Sequence, residues 1–463
     1  MLFPTVQFGI FFPIVLALSW ALMPRPIAWK PFILIASYVF YAAASPLFCL
    51  LLGGVTLWNY GAARLIHRSS SEPARRRLCA LAVAGDLTAL GVFKYYTFFA
   101  ESVARVLHSM GFGTALPLLT IALPVGISFF TFQAISYTVD VKRGLIEPAR
   151  LLDTAIYLSF FPHLVAGPIV RAREFLPQLA KPRDPEHVAV SAGLTLIGLG
   201  LVKKVVIADY LGRTVVDPVF AVPQAYHGPD VLLASYAYAA QIYCDFSGYT
   251  DIAIGLALLM GFVFPQNFHS PYRATGFRDF WRRWHMTLSR FLRDFLYIPL
   301  GGNRGSRLFT YRNLMITMVL GGLWHGAAWT FVIWGAFHGL CLAGEHAFGG
   351  RWKTPPWLRW FVTFNLVVLG WIVFRAQSIG LTWTLLSRLG SWGSPTLWTA
   401  PVLLAIAVAI GPQLLPSRAV EHFQDRLGRL HPALLGAALA VLILFVAATV
   451  PSQGVAPFIY FRF

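Results

Sequence analysis

Apolar stretches close to the ~20 residues needed to cross a bilayer recur along the whole of this 463-residue chain. They fall at about 6–23, 31–44, 46–63, 78–100, 118–139, 151–167, 190–210, 230–262, 314–345, 357–375, 400–416 and 432–450. One such run could be an anchor, but many in series require an integral bundle. In hydrocarbon every backbone N–H and C=O must find a partner within the protein, which helices achieve locally. The expected fold is therefore all-α: a polytopic transmembrane helix bundle forming a single membrane domain over residues 1–463. Only 12% of residues are charged, about half the roughly 25% usual in soluble domains.

The first basic residue is Arg25, so the stretch from Val6 to Met23 lacks the positive n-region of a cleaved signal peptide and is expected to be the first span. The region from Pro31 to Ala63 is too long for one crossing. Pro46 is the natural divider, because proline removes a helix hydrogen bond and clashes with the preceding turn. Cys49, Cys79, Cys244 and Cys341 sit in apolar segments without C-x-x-C spacing, which suggests neither a disulfide framework nor a metal site.

The formal net charge is +18. Nucleic-acid binding does not follow from it, since no recognised binding pattern accompanies the charge. Lys and Arg collect in cytoplasmic loops of membrane proteins, facing anionic membrane lipid. The basic loop containing Arg64, His67, Arg68, Arg75, Arg76 and Arg77 is accordingly expected in the cytoplasm. Lys142, Arg143 and Arg150 lie two crossings later on the same side. Counting back three spans places the N-terminus outside.

Residues 269–313 break the apolar pattern. Phe277, Phe280, Trp281, Trp284, Leu288, Phe291, Leu292, Phe295 and Leu296 follow helical 3-and-4 spacing. Arg278, Arg282, His285, Ser289 and Arg293 repeat on the other face, predicting one amphipathic helix at the membrane interface. Its arginines either rest among lipid headgroups or bind the phosphates of a donor, since guanidinium groups suit phosphate oxygens. Gly301-Gly302-Asn303-Arg304-Gly305 predicts a tight turn with positive φ at glycine.

The segment 314–345 would be about 48 Å long as one helix, beyond the ~30 Å hydrocarbon core. A break is expected at Gly321-Gly322, just before Leu323-Trp324-His325-Gly326. An ionisable side chain in a span is costly and usually lines a cavity or pathway, so His325 reads as either structural or chemical. Asp245 and Asp251 lie in another apolar segment. They either line a cavity or pair with arginines of the amphipathic helix, and the pairing is the favoured expectation. The stretch Phe161-Pro162-His163 to Gly167-Pro168-Ile169-Val170-Arg171 is interrupted twice by proline, with His163 expected to fix the loop.

Four stretches together resemble the membrane-bound O-acyltransferase family, in particular its bacterial branch that contains the alginate O-acetyltransferase membrane subunit. They are Leu123 to Gln133; Phe161 to Arg171; Asp279-Phe-Trp-Arg-Arg-Trp-His-Met-Thr-Leu-Ser289 with Arg293-Asp294 and Gly301-Gly302-Asn303-Arg304; and Gly322-Leu-Trp-His-Gly326. The similarity runs from about 120 to 345, with weaker agreement at both ends, including Phe458-Ile-Tyr-Phe461.

The resemblance implies a bundle of about eleven spans with re-entrant and interfacial amphipathic helices around a central tunnel. It assigns the family's essential histidine to His325 and its second histidine to His285. It implies a cytosolic acyl-CoA, acetyl-CoA above all, as donor substrate, with no permanently bound cofactor. It also implies a separate extracytoplasmic acetyltransferase partner, in a bacterial inner membrane. Arg278, Arg282, Arg293, Asp245 and Trp324 are the expected substrate contacts. Two rivals stand beside this reading. One is an O-acyltransferase acting on teichoic acid, peptidoglycan, a lipid or a protein. The other is a transporter of glycan or lipid, because broken helices and intramembrane histidines also mark transporters. Against the transporter, no pair of corresponding broken segments is visible in two halves of the chain.

Overall fold

The computed structural model describes residues 1, 3–112, 121–348, 354–416, 422, 426–427 and 429–449. The described residues form helices and turns, with no strand among them. Five helices are long and apolar enough to cross a membrane: Pro46–Arg68, Glu72–Ser109, Val190–Ala221, Gly228–Leu259 and Pro356–Arg375. The protein is an all-α, polytopic membrane protein. It divides into two compact units, one built mainly from residues 6–188 and 260–264, the other mainly from 189–259 and 265 onward.

In the first unit, α1 (Val6–Leu22), α2 (Pro26–Ala42) and α3 (Pro46–Arg68) follow one another closely. α2 and α3 each carry proline in the first turn, where the missing N–H would have had no partner in any case. The division expected at Pro46 is there. α4 (Glu72–Leu90) continues through a π turn at 91–95 into α5 (Tyr96–Ser109). Within the predicted span 118–139, residues 118–120 lie outside the described residues, and helix α6 (Ile127–Lys142) begins only after Gly126 at φ 78°. α7 (Leu151–Ser159) stops before the proline-interrupted island, followed by the single turn α8 (Phe161–Leu164) and α9 (Ala172–Leu179). His163 is fully buried, and its Nε2 donates to the Tyr157 carbonyl at 2.8 Å. That contact suits a histidine that fixes a loop.

The second unit opens with α10 (Val190–Leu201), a π segment at 202–208, α11 (Asp209–Leu211), a second π segment at 212–216 and α12 (Asp217–Ala221). It packs against the long helix α13 (Gly228–Leu259) through Gly200 and Gly248. A Cβ on Gly248 would come within 2.7 Å of the Gly200 carbonyl, so small residues are what let the backbones meet. Beside this contact Lys203 pairs with Asp251 at 2.7 Å, and Lys204 pairs with both Asp209, at 2.9 Å, and Asp245. The pairing expected with arginines of the interfacial segment is therefore corrected: Asp251 pairs with Lys203, and Asp245 with Lys204. The cause is local. A π turn inserts a residue into the helix, and here the two consecutive lysines each reach a carboxylate of α13. A charge buried in a span persists only when such a partner is at hand.

The remainder comprises α14 (Phe277–Trp281), α15 (Met286–Leu292), a π turn at 293–297, α16 (Arg307–His325), α17 (Trp329–Phe348), α18 (Pro356–Arg375), α19 (Ile379–Arg388), α20 (Ala400–Leu414) and a last helix, Pro432–Thr449. The glycine turn before α16 holds Gly301, Gly302 and Gly305 at φ 104°, 58° and 126°, and Ser306 Oγ then caps the helix by accepting the Phe309 N–H at 3.2 Å.

α16 and α17 divide the overlong apolar segment, but not at the expected glycine pair. Helix runs through Gly321-Gly322 and ends at His325. The glycine pair serves packing instead: a Cβ on Gly322 would strike the Phe331 carbonyl, and one on Gly335 would strike the Met318 carbonyl. The turn falls at Gly326, where a side chain would collide with the Phe331 ring. His325 thus stands at the end of a helix, immediately before a sharp reversal. The motif Phe458–Phe461 lies outside the described residues.

Candidate active site

The 3-and-4 spacing of residues 277–296 predicts one amphipathic helix, and the structure breaks it. α14 ends at Trp281, and α15 begins only at Met286, with His285 between them in the left-handed region at φ 43° and ψ 54°. A non-glycine residue held there typically costs about 1–3 kcal/mol, which the surroundings must over-determine. They do so through Asn267. Its backbone carbonyl accepts the Met286 N–H at 2.9 Å, and its Oδ1 accepts the Thr287 N–H at 3.1 Å and the Thr287 hydroxyl at 2.9 Å. The same Oδ1 lies 3.1 Å from His285 Nδ1.

That geometry fixes the imidazole tautomer. The Thr287 backbone N–H can only donate, so the Asn267 atom facing it is the oxygen, and the His285 nitrogen facing the same oxygen must carry a hydrogen. A neutral His285 therefore presents Nε2 as an acceptor. Nε2 is buried and has no hydrogen-bond partner among the described residues. His285 belongs to the short helices between the spans, and burial lowers its pKa from 6.5 to about 3, which keeps the ring neutral.

The expectation that His285 shares the arginine face is corrected. Arg278, Arg282 and Arg293 are exposed, whereas His285 is fully buried. The break leaves its ring buried against Phe246, at 4.6 Å, and Trp324. Arg293 is paired with Asp294 at 2.7 Å but remains 60% exposed, and the Arg278 N–H donates to Glu345. Asp245 is 3% exposed and pairs with Lys204.

His285 and His325 are brought together through Trp324. The Trp324 ring lies 5.7 Å from that of His285 and 5.1 Å from that of His325, both edge-on. His325 is 3% exposed. Its ring also lies 5.2 Å from Trp334 and 5.3 Å from Phe374, again nearly perpendicular. Two imidazoles in a wall of aromatic rings sit where water is scarce, which strengthens any hydrogen bond to a reacting group. Sequence reasoning found both histidines but missed Asn267, which gives no signal until the chain folds. It also missed Trp334 and His338, which read as ordinary apolar-helix residues of α17.

The sequence pattern of the membrane-bound O-acyltransferase family matches residues 84–382. The chain is 46% identical over 369 residues to the probable alginate O-acetylase AlgI of Pseudomonas aeruginosa, covering 78% of this chain and 70% of that one. It is 37% identical over 388 residues to the peptidoglycan O-acetyltransferase of Helicobacter pylori, covering 77% and 72%. To the teichoic acid D-alanyltransferase of Bacillus subtilis it is 29% identical over 274 residues, covering 55% and 69%. The chain belongs to the membrane-bound O-acyltransferase family. As a membrane-bound O-acyltransferase it is a membrane enzyme that transfers acyl groups. The resemblance drawn from its Trp-His-Gly and Asp279–Ser289 motifs is to this same family.

Proposed function

We propose that this membrane-bound O-acyltransferase takes an acetyl group from cytosolic acetyl-CoA and passes it across the bacterial inner membrane for O-acetylation of an exported polysaccharide such as alginate. The observation that carries the reading is the similarity to alginate O-acetylases, 43–46% identity over 78% of the chain for four Pseudomonas proteins. In this reading a separate extracytoplasmic acetyltransferase completes the transfer to the polysaccharide.

The chemistry assigns His325 as general base. Its imidazole takes the proton of an acceptor hydroxyl, the hydroxyl oxygen attacks the thioester carbonyl, and a tetrahedral intermediate forms. As that intermediate collapses, the carbon–sulfur bond breaks and the departing thiolate recovers the proton from His325. Neutral imidazole suits both steps near pH 7, and such proton transfer contributes typically about 10²–10⁴-fold. His285 presents an acceptor nitrogen, so its role is to receive a hydrogen bond from a neighbouring hydroxyl of the acceptor and orient the attacking one, whose single proton goes to His325. Arg278, Arg282 and Arg293 are exposed cations suited to the phosphates of coenzyme A.

The test is acetyl transfer by purified protein in proteoliposomes, with acetyl-CoA outside and a soluble acceptor inside or outside. Transfer that is lost in His325→Ala supports the reading. Turnover of wild-type protein with teichoic or peptidoglycan acceptors but not with a uronic-acid polysaccharide would replace the acceptor, and no thioester turnover at all would remove the donor.

A further inference from the structure

Beyond His325 the line of alternating rings continues. Trp334 packs at 5.2 Å from His325 on one side and at 4.7 Å from His338 on the other. Both come from α17, four residues apart, and so project from one face of the helix. Trp281 of α14 closes a triangle, 5.8 Å from Trp334 and 5.3 Å from His338. Trp334 and His338 are 1% and 0% exposed.

Trp281 Nε1, Trp334 Nε1 and both ring nitrogens of His338 are buried without a hydrogen-bond partner among the described residues. Most buried polar groups are satisfied, and the exceptions mark a ligand, a bound water or a catalytic role. Phe277 and Phe337 flank His338 at 5.4 and 5.6 Å, so the neighbouring rings supply no alternative partner. A neutral imidazole carries one N–H and each indole carries one. The Trp334 ring touches His325, and the rings of His338 and Trp281 touch Trp334, so three donors are grouped around one ring next to His325, in a setting dry enough to make them strong.

We propose that Trp334 and His338, with Trp281 beside them, supply the hydrogen-bond donors that hold the acyl carbonyl oxygen of a thioester substrate as it becomes an oxyanion at His325. The inference rests on the acyl-transfer reading of His325. As the acceptor oxygen bonds to the carbonyl carbon, the C=O pair moves onto oxygen and is met by these N–H groups. When the carbon–sulfur bond breaks, the pair returns and the thiolate leaves with the proton that His325 had taken.

The experiment compares Trp334→Phe, His338→Phe, His338→Gln and His325→Ala in purified full-length protein, reading kcat and KM for acetyl-CoA together with melting temperature. Trp334→Phe keeps an aromatic ring and removes the N–H. Loss of one donor of this kind typically lowers kcat about 10²–10³-fold. The expected result is a fall of that size in Trp334→Phe and His338→Phe, with KM within about twofold and melting temperature nearly unchanged. His338→Gln, which still donates, should recover part of the rate. Wild-type kcat in Trp334→Phe overturns the proposal, as does a rate loss that tracks melting temperature and is not relieved by glutamine. If His325→Ala retains activity, the underlying reading fails instead, and the two failures are told apart.

Discussion

His285 and His325, forty residues apart in sequence, both stand edge-on to the indole of Trp324, at 5.7 and 5.1 Å. One histidine ends a helix and the other sits in a strained break between two short helices. Each is placed by backbone irregularity, which is how a helical bundle brings side chains to a common point that regular spacing would scatter. If the two act as base and acceptor-orienting group, His325→Ala should cut acetyl transfer at least about 10²-fold while expression and membrane insertion remain normal. His285→Ala should impair transfer less completely. Near-wild-type turnover in His325→Ala would sink the mechanism.

The buried, neutral His285 also makes a prediction about pH. Its folded pKa, about 3, lies below the ordinary 6.5, so the unfolded chain binds the proton more readily between those values. Stability contributed by this group is complete above about pH 6.5 and declines as pH falls toward 3. Melting temperature should therefore drop on acidification from pH 7 to 5. His285→Gln, which has no proton to gain, should show a shallower drop. Parallel slopes for the two proteins would mean that other groups dominate.

The bundle was legible because apolar length is a one-dimensional signal, and Pro46 divided two helices where its chemistry said it would. The site was legible only in part. His325 stands out as an ionisable residue in an apolar run, but whether Gly321-Gly322 bends the helix or packs it depends on Phe331 and Gly335, which lie on the next helix. The exposure of Arg278, Arg282 and Arg293 was legible in the spacing. The side on which His285 falls was not, because periodicity assumes an unbroken helix and Asn267, eighteen residues earlier, breaks it. Lys203 and Lys204 were invisible as partners for the same reason, since a π turn shifts the register that spacing relies on.

Asp245 offers a test between substrate contact and support. It shares Lys204 with Asp209 in the interior. Removing one partner of a buried ion pair typically costs about 3–5 kcal/mol, because the other charge is left unpaired. Lys204→Met leaves two facing carboxylates and should lower yield and melting temperature sharply. Asp245→Asn should be milder, with KM for acetyl-CoA unchanged. A raised KM with intact melting temperature would return Asp245 to the substrate site.

Orientation is open to labelling. Arg76 is exposed at the start of α4, paired with Glu72 at 3.0 Å, within the basic stretch at 64–77 that joins α3 to α4. Single cysteines placed there in a background lacking native cysteines should react with membrane-impermeant maleimide only after the cytoplasmic side is opened. A tag at the N-terminus should be accessible from outside. Outside labelling at position 76 would invert the topology.

The exposed arginines give the last prediction. Arg278, Arg282 and Arg293 are exposed whereas the histidines are buried, so they suit the far end of a donor whose thioester reaches inward. That arrangement separates binding from chemistry. Neutralising one arginine should raise KM for acetyl-CoA with little change in kcat, the pattern of lost uniform binding. Raising ionic strength should mimic the substitution, because exposed charges are screened beyond a Debye length of about 8 Å at physiological salt. Arg293 should show the smallest effect of the three, since Asp294 already competes for its guanidinium. If the arginines only seat this segment among lipid headgroups, substitution should lower melting temperature in detergent with added anionic lipid and leave KM alone. Both quantities measured on the same purified variants decide between donor binding and lipid anchoring.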